Sequence, residues 1–197
     1  IDSNIKMIKI TAISFYSKNN GSIGILLNSN LTCIKSYFGL NKAYLSGGVF
    51  DFNRLNNWNK IFFDKTIFLN NKASNYGGCV NSLSNDGTLQ VIIKRSKFIL
   101  NSAFRGGTFY IENLHNISLT NNTFSKNMVI PQKNSLNLRS KGGIFYLKSD
   151  FNISNTYDYK LTMNICFNYF LSNKAEIGGA FYIEGIQIIK ERCPNHY

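Results

Sequence analysis

The sequence predicts an all-β chain wound as a β-solenoid of about six coils, forming a single domain over residues 1–197. Two observations carry that expectation. A motif of F-x-x-N-x-A followed by a glycine pair returns as FGLNKAYLSGG from Phe38, FLNNKASNYGG from Phe68, FILNSAFRGG from Phe98 and FLSNKAEIGG from Phe170. Between the motifs, apolar residues recur with a period of two and never with a helical period.

Each unit opens on a strand that runs into its Phe: LTCIKSYF, IFFDKTIF, VIIKRSKF, ISLTNNTF and MNICFNYF. Seven and five residues before that Phe sit Leu31 and Cys33, Ile61 and Phe63, Val91 and Ile93, Ile117 and Leu119, and Met163 and Ile165. Such alternation marks strands with one buried face. At the N-terminus, IKITAISF is expected to add a unit in which Ile8 and Ile10 precede Phe15. A further strand follows each glycine pair: GGVFDF, GGCVNS, GGTFYIE, GGIFYLK and GGAFYIE. Phe50, Val80, Phe109, Phe145 and Phe181 share one register there, and Phe52, Ile111, Leu147 and Ile183 the next inward one.

In a stack of such coils, equivalent residues lie one above another. Phe38, Phe68, Phe98, Phe124 and Phe170 are expected to form an interior aromatic ladder. Asn41, Asn71, Asn101, Asn127 and Asn173 are expected to form an amide ladder inside a turn, each amide bonding to those above and below. The alanine is expected in a tight corner, and the glycine pair where the backbone adopts angles closed to other residues. The unit that starts at Phe124 reaches Gly142 and Gly143 only after an insertion over 130–141, and a second insertion covers 148–160. Both are polar and turn-rich, so both are expected to leave the stack as surface loops, with Asn152 exposed.

The alternation of GG-[AILV]-[FIY] with F-x-x-N-x-A resembles the Pmp-type repeat of the polymorphic outer membrane proteins of chlamydiae, a repeat also found in large surface proteins of protists. FLNNKASNYGG and FLSNKAEIGGAFYIE carry the resemblance most closely, and it spans roughly residues 14–190. It implies a right-handed parallel β-helix displayed outside the cell, with a structural or adhesive role. The chain itself begins and ends in mid-pattern, which fits a processed chain or part of a longer repeat protein.

Composition narrows the partners. The net charge is +12, but the excess is lysine in a chain rich in Asn, Ile, Phe and Tyr, as an AT-rich genome encodes. No basic nucleic-acid-binding motif accompanies it, so no nucleic acid is expected. No apolar run approaches the roughly 20 residues of a membrane helix, so no membrane-spanning segment is expected. The acids are dispersed, His115 and His196 lack metal-ligand spacing, and no catalytic residue, metal ligand or cofactor is predicted. Glu112, Lys148 and Glu184 share a register and read as an exposed ladder of alternating charge.

Of the four cysteines, Cys33 falls on an inward register and Cys79 follows a glycine pair; the sequence does not fix whether either is oxidised. Cys166 with Cys193 is the one disulfide candidate, because Cys33 and Cys166 would lie coils apart. N-x-S/T sequons mark Asn20, Asn30, Asn116, Asn121 and Asn152 as candidate glycan sites. Tyr110, Tyr146 and Tyr182 share an outward register and offer a stacked surface for sugar rings. Lys35, Lys65 and Arg95 share another, while Lys42, Lys72 and Lys174 recur beside the amide ladder. The leading expectation is an extracellular or cell-surface structural protein, not an enzyme, carrying N-glycans and self-associating through its solenoid ends. The alternatives are an adhesin for acidic or neutral polysaccharide and a polysaccharide-processing enzyme.

Overall fold

The computed structural model describes residues 3–53, 59–83, 89–131, 140–148, 160–185 and 187–190. Every element among them is a β-strand, and the strands pair in parallel. They form four sheets of seven, six, five and six strands, through which the chain winds as a β-solenoid of about five turns. One full coil runs through Ser29–Ile34, Tyr37–Gly39, Lys42–Ala43 and Phe50–Asn53, and the next through Asn59–Asp64, Ile67–Leu69, Lys72–Ala73 and Val80–Ser82. The long sheet aligns Leu31, Ile61, Val91, Ile117 and Met163 in one inward column, with Cys33, Phe63, Ile93, Leu119 and Ile165 in the other.

The aromatic ladder is present. Phe38, Phe68, Phe98, Phe124 and Phe170 pair residue for residue, with ring centroids 5.1, 4.8, 5.1 and 5.2 Å apart. Strands about 4.8 Å apart and in register set that distance, so the sheet itself puts ring on ring. A second column, Phe109, Phe145 and Phe181, stacks at 4.8 and 4.9 Å. The two columns meet edge to face, at 65° for Phe124 with Phe145 and 63° for Phe170 with Phe181. Rings stacked along the axis and steeply crossed between the columns fill the interior from both walls.

The first coil departs from the expected alignment. Ser3–Ile8 pairs with Ser29–Ile34 so that Ile5 meets Leu31 and Met7 meets Cys33, and Ala12 then meets Phe38. Ile8, Ile10 and Phe15, expected inside, are 45%, 41% and 51% exposed. Here the ladder position holds Ala12, so an alignment anchored on Phe15 is displaced by three residues. Ile5 and Met7 alternate as well as Ile8 and Ile10 do, and an odd shift sends every side chain to the opposite face.

The glycine pair has two separate causes. Gly47, Gly77, Gly106, Gly142 and Gly178 sit at φ between +59° and +68°, where an added Cβ would lie 1.9–2.3 Å from the carbonyl oxygen three residues on. Their partners Gly48, Gly78, Gly107 and Gly143 face the next coil, where a Cβ would lie 2.0–2.3 Å from the carbonyl oxygen of its equivalent glycine. The first glycine turns the chain; the second lets coils approach. Alanine does not occupy a corner, as expected, but the short third sheet: Ala43, Ala73 and Ala103 point inward and are buried. Val129 takes the same buried register beyond Ala103, so the single inward position of this two-residue strand accepts small apolar side chains rather than large ones.

Two further corners per coil are left-handed without glycine. Lys9, Lys35, Lys65, Arg95, Asn121 and Phe167 make one column, with φ between 49° and 56°; Ser14, Leu40, Asn70, Leu100, Lys126 and Ser172 make the other, between 52° and 60°.

Candidate functional site

A polar ladder follows each non-glycine corner, one residue after the left-handed position. In the expected ladder, Asn71 donates from Nδ2 to Asn101 Oδ1 at 3.0 Å and to the Phe38 carbonyl at 2.9 Å, while its own Oδ1 accepts from the backbone N–H and Nδ2 of Asn41. Asn101 and Asn127 repeat the pattern, and Asn173 is the last member of the column among the described residues. A buried amide is costly unless bonded; here the stack supplies every partner. Phe15 occupies this register in the first coil, and its backbone N–H donates to Asn41 Oδ1.

The second ladder is one the sequence reading missed. Ser36, Thr66, Ser96, Asn122 and Asn168 occupy the first corner, where Ser96 Oγ, Asn122 Oδ1 and Asn168 Oδ1 accept the backbone N–H of Thr66, Ser96 and Asn122 at 2.9–3.1 Å. Its signal is a small polar or amide residue two positions before every ladder Phe. Three residue types share the column, which hides it from a search for identical letters.

The tyrosine column is not an open face. Tyr110 and Tyr146 are only 3% and 2% exposed. Tyr76 packs on Tyr110 with centroids 4.5 Å apart, and the Arg105 guanidinium lies 5.8 Å over the Tyr146 ring. The residues just before the glycine pairs align as Ser46, Tyr76, Arg105, Lys141 and Ile177 and fold over this sheet. Tyr110 Oη donates to Glu112 at 2.8 Å, Tyr146 Oη to Glu184 at 2.6 Å, and Lys141 Nζ to Tyr182 Oη at 2.7 Å. Burial and the adjacent carboxylates hold the Tyr110 and Tyr146 phenols well above their ordinary range. Glu112, Lys148 and Glu184 share a register and are half-buried, not exposed.

Asp51 lies in the same column, between Ile25 and Asn81, and is fully buried. Its carboxylate accepts Nδ2 of Asn81 at 2.6 Å, Nδ2 of Asn20 at 3.0 Å and Nδ2 of Asn53. Burial raises this carboxyl and the three amide donors oppose the rise. Cys33 and Cys79 are buried free thiols. Burial pushes Cys33 up to about 12 and Cys79 well above its usual range, so both behave as small apolar residues. Cys166 is disulfide-bonded; Cys193, the partner expected from the sequence, lies outside the described residues.

Among the sequons, Asn121 stands exposed at a left-handed corner and Asn116 is half-buried. The Asn20 amide is engaged with Asp51, and the Asn30 amide with Asn4 at 2.9 Å. Asn152 and most of both insertions lie outside the described residues. On the outer face of the long sheet, Asn4, Asn30, Thr32, Lys60 and Phe62 line a groove of about 310 Å³. Lys42 and Lys72 are adjacent and exposed in the third sheet. Among the described residues, no cluster of three or more His, Cys, Asp or Glu could hold a metal, and no helix is long and apolar enough to cross a membrane.

These residues define a parallel β-solenoid whose polar chemistry is mostly turned to holding coils together. No family model, curated protein or solved structure matches the chain.

Proposed function

We propose that the chain is an extracellular, non-enzymatic structural β-helix of about six coils, counting the partial windings at each end, that forms one segment of a surface rod or fibre. The winding is right-handed, the hand that parallel crossover connections overwhelmingly take, and the Pmp-type repeat supplies the surface-display analogy. The amide ladder is the observation that carries the reading. It runs unbroken through five coils and makes the axis, not a cleft, the recurring feature of the geometry. Asn41, Asn71, Asn101 and Asn127 each donate their backbone N–H to the next amide oxygen, so every coil supplies the acceptor for the coil before it. A further coil bearing Asn in this register would accept the Asn173 N–H in the same way, whereas a copy stacked through its own first coil would present Phe15.

Sedimentation across a range of concentrations tests the assembly, and glycopeptide mass spectrometry of the secreted chain tests the location. Growth with concentration, or a lengthened chain that continues the protected amide ladder, supports the reading. A monodisperse chain whose extension leaves the Asn173 amide exchanging freely, with no glycan on Asn121 or Asn116, refutes it. The adhesin reading retains one specific support, the Asn4–Phe62 groove, where amides, a hydroxyl and an aromatic ring combine the contacts sugars use.

A further inference from the structure

We propose that the first left-handed corner is a binding ridge for a linear anionic polysaccharide. Lys9, Lys35, Lys65 and Arg95 occupy that corner in four successive coils, all exposed. The backbone N–H of each donates to the carbonyl just before the corner in the next coil, at 2.9–3.1 Å, so the column is straight and locked to the solenoid axis. Its cations therefore repeat at the strand spacing of about 4.8 Å. Lys94 and Lys97 flank the ridge and are exposed. Asp64 is the acid beside it, paired by both oxygens to Arg95 at 2.8–2.9 Å.

Lysine abundance does not explain the column, because the second corner is an internal control. It has the same backbone conformation, yet Ser14, Leu40, Asn70, Leu100, Lys126 and Ser172 include one cation against four in the first. Lys and Arg together make only 22 of 197 residues. Left-handed positions favour Gly, Asn or Asp, so a long cationic side chain there is chosen against local preference as well as against its like-charged neighbours. A row of point charges at fixed pitch neutralises a polymer whose anionic groups also repeat regularly. Lysine gives compact, adaptable charge, and the one guanidinium is already committed to Asp64, so bidentate phosphate or base recognition is not what the ridge offers. The inference rests on the extracellular reading for its biological partner, but binding itself is read on the purified chain and fails or succeeds independently of location.

Two probes, polygalacturonate and heparin, separate carboxylate from sulfate as the preferred anion, and single-stranded DNA of matched charge is the competitor. The ridge variant is Lys9→Ser, Lys35→Asn, Lys65→Asn, with replacements that already occupy left-handed corners here at Ser14 and Asn121. The control, Lys42→Ser, Lys72→Ser, Lys174→Ser, removes the same charge from the third-sheet side, where Ser102 shares the column. Melting curves establish that both fold. The ridge variant should lose roughly tenfold or more in affinity for one of the two polysaccharides, and its dependence of log affinity on log salt should flatten by about two to three. The control should stay within about twofold of the parent. Equal losses in both variants would show that net charge alone binds; that result, no binding to either polysaccharide, or preference for the DNA would overturn the proposal.

Discussion

The first coil and the central coils use the same backbone but not the same side chains. In the centre, Phe68 and Phe98 sit between rings on both sides and Asn71 and Asn101 between amides on both sides. In the first coil the ladder positions hold Ala12 and Phe15, and Ile13, Phe15, Tyr16, Ile25 and Leu27 are all more than 45% exposed. A ladder residue interacts through its neighbours above and below, so its worth falls when one neighbour is missing. The end coil keeps the corners and loses the ladders because the corners are required by the path of a single chain, whereas the ladders are a property of the stack.

The second glycine of the pair offers the sharpest contrast. At Gly78 an added Cβ would lie 2.2 Å from the Gly107 carbonyl oxygen, backbone that cannot yield without parting two coils. At Gly179 the nearest atom is the Asn173 oxygen at 3.4 Å. Gly78→Ala is expected to lower stability by about 5 kcal/mol, in the exceptional range for single changes, and Gly179→Ala by less than about 1 kcal/mol. Urea unfolding of the two variants measures this; similar losses would mean that coil contact is not what fixes the second glycine.

The aromatic ladder comes next. Phe98 is fully buried between two rings, and Phe98→Ala should cost about 4 kcal/mol through lost burial and the cavity left behind. Phe170, half-buried and stacked on Phe124 alone in its column, should lose about half that on truncation. The same ordering is expected for the amides. Asn101→Ala takes the amide oxygen from the buried Asn71 backbone N–H and the amide donor from the Phe68 carbonyl. It leaves Asn127 Oδ1 with only the residue-101 backbone N–H of its two donors from that residue, and should cost about 2–3 kcal/mol. Phe15→Asn extends the ladder by one amide toward Asn41 and should gain about 0.5–1 kcal/mol, so a loss there would show that the first coil is built to end the ladder. Chemical denaturation of each variant beside the parent reads all four values.

The smallest expected effect is a pH dependence in the column that holds exposed Ile25 in the first coil and buried Asp51 in the second. Burial raises the Asp51 carboxyl in the folded state. A carboxyl raised in this way contributes most favourably below the ordinary Asp value of about 3.9, and that contribution is lost as pH rises through the raised value. Asp51→Asn should therefore gain on the parent as pH climbs from the ordinary Asp value of about 3.9 through the raised one. Unfolding free energies of the pair that keep a constant difference over that range would rule the assignment out.

Much of this architecture is legible in the letters, and the exceptions share a cause. The strands, the Phe and Asn columns and the registers after the glycine pairs follow from period and identity, because a stack makes one residue's environment the same in every coil. The serine–threonine–asparagine ladder is illegible, since its members are equivalent in bonding but not in name. The tyrosines point away from the core as the alternation requires, yet the cover supplied by Tyr76 and Arg105 comes from the preceding corners folding over the sheet, a contact no spacing encodes. The first coil escapes alignment because two frames three residues apart satisfy the same alternation, and only pairing with Ser29–Ile34 chooses between them.

By itself, then, the sequence determined that this chain stacks in coils, which residues of the central coils face inward, and where glycine must stand. Those are consequences of a local pattern repeated at a nearly constant interval. The tertiary structure decided which frame the first coil takes, which outward residues become buried, and which cations line up as one straight ridge. Each of those depends on what the adjacent coil places about 4.8 Å away, and that neighbour lies some 26 to 46 residues distant in the chain.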